Sequence, residues 1–216
     1  MGVKKDGLPR EWDVTNPHKV QFAMVRDLSW TPSESDVLLG LDSVYESIRV
    51  ALVRRSDYAL TPLIVDKMLK DSTPVMTTLL RRFDWTPSRD NVMDGLSSSY
   101  HSVRRTWIMR RDWTPDEEMV DKVLSDLNYS NKVEWLKRLD WKPLERHVEI
   151  LLSDNSRDVV IGLIRRMDWT PTDDQITSGM SSTDESIASA WKDRIKSITE
   201  STLRADGEQN EQGYSL

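Results

Sequence analysis

The fold this sequence predicts is all-α: a right-handed α-solenoid, or superhelix, of about six 28-residue helix-pair repeats with an N-terminal capping half-repeat. Two observations predict it. The tripeptide Trp-Thr-Pro recurs at Trp30-Thr31-Pro32, Trp85-Thr86-Pro87, Trp113-Thr114-Pro115 and Trp169-Thr170-Pro171. A Lys variant stands at Trp141-Lys142-Pro143, and a stretched copy runs from Tyr58 to Thr61-Pro62. The marker prolines are 30, 25, 28, 28 and 28 residues apart. Between markers, two different apolar patterns of helical spacing follow one another in a fixed order. A unit of that size buries its apolar face only by stacking on its neighbours.

The elements follow in order. Residues 1–15 form an N-terminal extension, and Asn16-Pro17 opens a lone helix of the second type through Arg26, a half-repeat at the start of a single domain over 16–197. Each full repeat begins at its marker: Thr86 caps a helix through its hydroxyl and Pro87 takes the first helical position, where a missing N–H is no loss. Thr31-Pro32-Ser33-Glu34 and Thr114-Pro115-Asp116-Glu117 add the Glu of a capping box. The marker Trp, standing before the cap, packs as a hydrophobic staple between repeats. The first helix then carries Val37/Gly40/Leu41, Val92/Gly95/Leu96, Val120/Val123/Leu124, Val148/Leu151/Leu152 or Ile176/Gly179/Met180 on one face. Glycine inside a helix costs about 1 kcal/mol relative to Ala, so Gly40, Gly95 and Gly179 signal close helix approach.

The second helix has a stricter template, opened in two copies by capping-box sequences, Ser43-Val44-Tyr45-Glu46 and Ser182-Thr183-Asp184-Glu185. Its first apolar position holds Ile48, Val75, Val103, Val159 or Ile187, with Asn131 the exception. Four positions on stands Leu52, Leu79, Trp107, Trp135, Leu163 or Trp191, and seven on stands Arg55, Arg82, Arg110, Arg138, Arg166 or Arg194. Nine on, five copies carry Asp57, Asp84, Asp112, Asp140 or Asp168. The second repeat inserts Tyr58-Ala59-Leu60 before Thr61-Pro62 and then shortens, which predicts a kink or altered groove near residues 58–74. In the last copy Lys196-Ser197 replaces Asp-Trp, so the repeats end there. Residues 198–216 read as a disordered acidic tail.

Composition excludes several classes. There is no cysteine, hence no disulfide or thiolate metal site, which fits a reducing compartment. No apolar run approaches the roughly 18 residues that span a bilayer, and no apolar stretch near Met1 suggests a secretory signal. Asp6 occupies the position where a myristoylation motif requires Ser or Thr. A cytoplasmic protein without membrane contact is the expectation. His18, His101 and His147 lie in different repeats, and no phosphate-binding loop, His-Glu-x-x-His or Gly-x-Ser-x-Gly is present. No enzyme, no cofactor and no metal are expected.

The second-helix segments Asp42-Ser43-Val44-Tyr45-Glu46-Ser47-Ile48-Arg49 and Ser99-Tyr100-His101-Ser102-Val103-Arg104 resemble the D-x-x-x-x-V-R core of leucine-rich-repeat-variant and HEAT-like α-solenoids. The resemblance covers about residues 16–197. It implies short helices stacked into a curved right-handed superhelix whose concave face holds a protein or nucleic acid, as some HEAT-like DNA glycosylases hold duplex DNA. The period of 28 is longer than is usual in the variant repeats, and no iron–sulfur site carries over because the cysteines are missing.

Basic pairs recur at the same point of five repeats: Arg54-Arg55, Arg81-Arg82, Arg110-Arg111, Lys137-Arg138 and Arg165-Arg166, with Arg49, Arg104, Arg105 and Lys132 widening the stripe. The first helices lean acidic, as at Asp36, Asp90, Asp94, Glu117 and Glu118. Arg55, Arg82, Arg110, Arg138 and Arg166 keep the packing period and sit near helix C-termini, with Asp57, Asp84, Asp112, Asp140 and Asp168 two residues on; that is the pattern of a structural ladder. Nothing in the period requires Arg49, Arg54, Arg81, Arg104, Arg105, Arg111, Lys137 and Arg165, which are therefore the candidate partner-binding residues. The function predicted is a non-catalytic protein–protein interaction scaffold, an adaptor or inhibitor gripping a macromolecular partner along a basic groove. The alternative is a nucleic-acid-binding solenoid contacting phosphates through the arginine stripe, against which stands the net charge of −6.

Overall fold

A computed structural model describes the backbone of residues 12–212 and the side chains of residues 12–201. The described residues form thirteen helices and no strand. They are α1 (His18–Arg26), α2 (Glu34–Gly40), α3 (Glu46–Val53), α4 (Pro62–Leu69), α5 (Thr73–Leu79), α6 (Arg89–Leu96), α7 (His101–Met109), α8 (Glu117–Leu124), α9 (Tyr129–Leu136), α10 (Glu145–Leu152), α11 (Arg157–Ile164), α12 (Asp173–Met180) and α13 (Glu185–Gln212). The chain divides into two compact units, Met1–Trp113 and Thr114–Leu216.

In the N-terminal unit α2 pairs with α3, α4 with α5 and α6 with α7, while α1, α3, α5 and α7 pack in succession and α2 packs on α4. In the C-terminal unit α8 pairs with α9, α10 with α11 and α12 with α13; α9, α11 and α13 succeed one another and α8 packs on α10. Sequential helix pairs in repeat-like stacking are thus the architecture of each unit. The apolar template positions are its core: Ile48, Leu52, Val75, Leu79, Val103 and Trp107 are fully buried, as are Trp135, Val159 and Leu163. Each such side chain removed from water contributes about 1.5–3 kcal/mol. Asn131, the polar exception, is also buried, and its Nδ2 donates to Asp126 Oδ2 at 2.6 Å.

Helix entry differs from the sequence expectation. In four of the first helices the cap is the residue after the marker proline, not the threonine before it. Ser33, Ser88, Asp116 and Thr172 accept from the backbone N–H three residues on, whereas Thr31, Thr86, Thr114 and Thr170 are exposed. In these four copies Thr-Pro works as a linker leading into the cap. Both phases were open in the sequence, because a capping residue stood on each side of the proline. The exception follows the same logic: in α4 the residue after Pro62 is Leu63, which cannot cap, and there Thr61 caps with Pro62 at the helix start. At α10, where Leu144 has no acceptor, His147 Nδ1 reaches back to the Leu144 N–H at 3.2 Å. The marker Trp, three residues before these caps, is buried; Trp141 touches His147 of α10 at 6.0 Å between ring centroids, and most of the other markers also clamp backward. The indole N–H groups of Trp85, Trp113 and Trp169 donate to the carbonyls of Leu79, Trp107 and Leu163, and the Tyr58 hydroxyl donates likewise to Leu52.

The ends also differ. Residues 1–11 of the expected extension lie outside the described residues, but Trp12 belongs to the core: it is buried, its ring stacks on Trp30 at 5.7 Å, and its backbone N–H donates to Asp36 Oδ1. At the other end α13 runs through to Gln212, across most of the segment expected to be a disordered tail. In earlier repeats the chain leaves the second helix as Arg-x-Asp folds back on itself; at Arg194 the Asp position is Lys196, and the helix continues.

Candidate functional site

The turns that close the second helices carry most of the residues singled out by the sequence. At each, a ladder arginine turns inward onto the previous repeat. In Arg55, Nη1 donates to the carbonyls of Val25 and Asp27, Nη2 to that of Trp30, and Nε to Asp57 Oδ1 at 2.9 Å. Arg110 repeats the set on Leu80, Arg82, Trp85 and Asp112, and Arg166 on Leu136, Arg138, Trp141 and Asp168. Arg82 follows the same plan on Val53, Arg55 and Asp84, and Arg138 binds Asp140. The guanidinium planes lie over the preceding marker ring, 5.2 Å from Trp30 for Arg55, 4.5 Å from Trp85 for Arg110 and 4.6 Å from Trp141 for Arg166. One planar fork therefore satisfies orphan carbonyls at a helix C-terminus, pairs a carboxylate and stacks on an indole.

Protonation follows this geometry. Hydrogen bonds from Arg55 and Arg82 hold the carboxyls of Asp57 and Asp84 below the usual carboxylate value. Burial pushes the Tyr58 hydroxyl up to about 12, with the nearby Arg82 opposing it. Burial opposes the charge on Arg82 too, but the bonds to Asp84 and the proximity of Tyr58 win, and its value is raised. Arg194 keeps the carbonyls of Ile164 and Trp169 but has no Asp of its own; its Nε is buried without a partner, and burial lowers its value.

The candidate binding cations separate into two groups. Arg49 is largely buried: its Nε meets Asp71 Oδ2 at 2.9 Å and its Nη1 donates to the Ser43 carbonyl. Lys132 pairs with Asp154 at 2.7 Å in the same way, 22 residues on, and Arg104 donates to the Ser98 carbonyl. These three tie a second helix to a neighbouring turn. Arg54, Arg81 and Arg165 are exposed, with no ion pair among the described residues. Arg105, Arg111 and Lys137 are exposed as well, Arg111 donating to the Ile108 carbonyl and Lys137 pairing with Glu134 at 2.8 Å.

Sequence reasoning missed the apolar residues on these turns. Between the ladder position and the Asp position, or its counterpart in the half-repeat, stand Leu28, Phe83, Leu139 and Met167, which are 88, 71, 79 and 57% exposed. The signal was present as an apolar residue inside Arg-Phe-Asp, Arg-Leu-Asp and Arg-Met-Asp, where the helical template has no core position. Each unit so presents cations beside exposed apolar side chains: Arg81 with Phe83, Lys137 with Leu139, and Arg165 with Met167.

Among the described residues no group of three or more His, Asp or Glu side chains is placed to hold a metal ion, and no helix is long and apolar enough to cross a membrane. What the fold defines is an all-helical protein of sequential helix pairs, consistent with a helical repeat. No protein-family model, curated protein or solved structure matches the chain.

Proposed function

We propose that this chain is an α-solenoid of the HEAT-like or leucine-rich-repeat-variant kind and acts as a non-catalytic scaffold, an adaptor or inhibitor, for a protein partner. The marker that runs through both units at a near-constant period supports the solenoid. The observation that carries the binding role is the division of labour at the second-helix turns. The ladder guanidinium is spent inward, while Arg54, Arg81 and Arg165 stay exposed and unpaired, and Phe83 and Met167, two residues on from Arg81 and Arg165, keep 71 and 57% of their surface exposed. Large apolar residues flanked by cations suit a partner segment that is apolar and acidic. A surface that only tracks phosphates has no use for Phe83 or Met167, which favours protein over nucleic acid.

The test is site-specific photo-crosslinking from positions 83 and 167 in the source cell, repeated with Arg81→Glu and Arg165→Glu. A protein crosslinked from both positions and lost in the charge-reversed forms supports the reading. Salt-sensitive binding of labelled duplex or single-stranded nucleic acid, with no crosslinked protein, overturns it in favour of phosphate contacts.

A further inference from the structure

The half-repeat at the start of the chain extends the row of exposed cations beyond the residues that the sequence marked. Arg55, Arg82 and Arg110 take the carbonyls of Asp27, Arg55 and Arg82 respectively, so these three carbonyls hold one and the same position in successive second helices. The residue before each is an arginine: Arg26, Arg54 and Arg81. All three are exposed, with no ion pair among the described residues. They close α1, α3 and α5, which pack in succession within the N-terminal unit. Packed helices lie about 8–10 Å apart, so one cation follows another at about that interval. The row ends there, because on α7 the position belongs to Met109.

A second row runs beside the first. Four residues earlier, about one turn and 6 Å back along each helix, stand Phe22, Val50 and Thr77. Each is half-buried, and the Thr77 hydroxyl is already bonded to the Thr73 carbonyl. The Arg26 guanidinium lies over the Phe22 ring at 4.7 Å, so cation and apolar group meet on one face. Beyond the cations, on the closing turns, Leu28 and Phe83 are largely exposed. Apolar, cationic and apolar groups thus form a band on the order of 10 Å wide and, over three helices, about 20 Å long.

We infer that this band binds an acidic amphipathic α-helix of a protein partner, laid across α1, α3 and α5. The inference rests on the protein-partner reading and adds to it a conformation, a charge spacing and the half-repeat. Width favours a helix, which is about 10–12 Å across, whereas one extended strand covers about half of that. Residues seven apart on a helix share a face and lie about 10.5 Å from each other, close to the interval between the arginines. An extended segment also needs partners for its peptide groups, and neither row carries a side-chain amide to supply them. A helix has already bonded its own. The occupant therefore carries a carboxylate every second turn, facing Arg26, Arg54 and Arg81, and apolar residues on the flank over Phe22 and Val50.

The experiment is fluorescence anisotropy of labelled synthetic peptides titrated with the full chain at low salt. The probe is an Ala- and Gln-based helix of about 18 residues, long enough to cross the band, with Glu at every seventh position and Leu on the adjacent flank. One comparator of equal composition has Glu at every fifth position, and another has a central proline. The regular helix is expected to bind at least about fivefold tighter than either comparator. Arg26→Glu, Arg54→Glu and Arg81→Glu are each expected to weaken it about three- to tenfold at an unchanged urea midpoint. Lys122→Glu, the same charge change on α8, is expected to leave the affinity within about twofold. Equal binding of the proline comparator, or an equal loss with Lys122→Glu, would overturn the inference. Tighter binding of single-stranded RNA of matched charge overturns it in favour of phosphates, and self-association abolished by Arg54→Glu overturns it in favour of a second copy of this chain. If Arg26→Glu has no effect while a protein is still crosslinked from position 83, the helix inference fails and the protein-partner reading stands. If no probe binds and position 83 captures no protein, both fail.

Discussion

Replacing Arg166 by Met removes the guanidinium but leaves a side chain of similar length over Trp141. Arg166 is almost fully buried; it donates to Leu136 O at 3.0 Å, Trp141 O at 2.8 Å, Arg138 O and both oxygens of Asp168. Breaking a buried ion pair by deleting one partner costs about 3–5 kcal/mol, and each buried acceptor left unmet costs about 1–3 kcal/mol. Asp168 keeps some exposure, its side chain being 23% accessible, so water recovers part of its loss. A destabilisation of about 3–4 kcal/mol results, at the low end of the ion-pair range. Urea unfolding followed by far-ultraviolet circular dichroism measures it. The control lies one residue away: Arg165→Met, at an exposed and unpaired position, should stay within about 0.5 kcal/mol of the parent. Arg166→Lys should not restore stability, because a point charge cannot reach three carbonyls and a carboxylate together. A loss of under about 1 kcal/mol for Arg166→Met, or equal losses for the two neighbours, would refute the ladder as a source of stability.

Capping gives a second test: Ser88→Ala should lower stability by about 1 kcal/mol in denaturant melts, and Thr86→Ala should leave it within about 0.5 kcal/mol. Gly95→Ala drives a Cβ into the Trp107 indole, so it should destabilise by about 1–3 kcal/mol despite the better helix propensity of Ala, with a changed near-ultraviolet dichroism. Tyr58 has a folded value raised to about 12, so its contribution is intact below about pH 10 and lost as pH climbs from there toward 12; Tyr58→Phe should flatten that alkaline decline in urea midpoint. Asp57 and Asp84 have depressed values. Their contribution is therefore present above the ordinary carboxylate range and lost as pH falls through the folded values, and Asp84→Asn should reduce the acid sensitivity of the melt.

The second helices were legible because three demands coincide on them. Ile48, Leu52 and Arg55, or Val159, Leu163 and Arg166, recur at spacings that only a helix ending at a guanidinium explains, and all of them are buried as one face. The caps were less legible, since Thr86 and Ser88 are both competent and the extended backbone a cap requires is found both before a proline, at Thr61, and after one, at Ser88. Trp12 carries no periodic signal; it is fixed by its stacking on Trp30, which no pattern around it announces. The path of α13 past Ser197 depended on reading Lys196 as the loss of a stop rather than the end of a repeat. Arg49 and Lys132 looked like surplus charge because their partners, Asp71 and Asp154, lie 22 residues on in the next connection, off the period of the markers.

The arginine ladder sets where one building block ends. By packing, a block is a helix pair, yet the carbonyls of Leu136, Arg138 and Trp141 are capped by Arg166, 25 to 30 residues later. A chain leaving the ribosome therefore cannot finish the turn after α9 until α11 and its terminal Arg-x-Asp have emerged, and closure proceeds one block behind synthesis. The same offset fixes the scissors' position for anyone shortening the protein. Excising residues 141–168, from one marker Trp to just before the next, brings Arg194 onto the Leu136 and Arg138 carbonyls that Arg166 had held, while it keeps that of Trp169. A cut placed at a helix boundary instead would strand a guanidinium on one side and its carbonyls on the other.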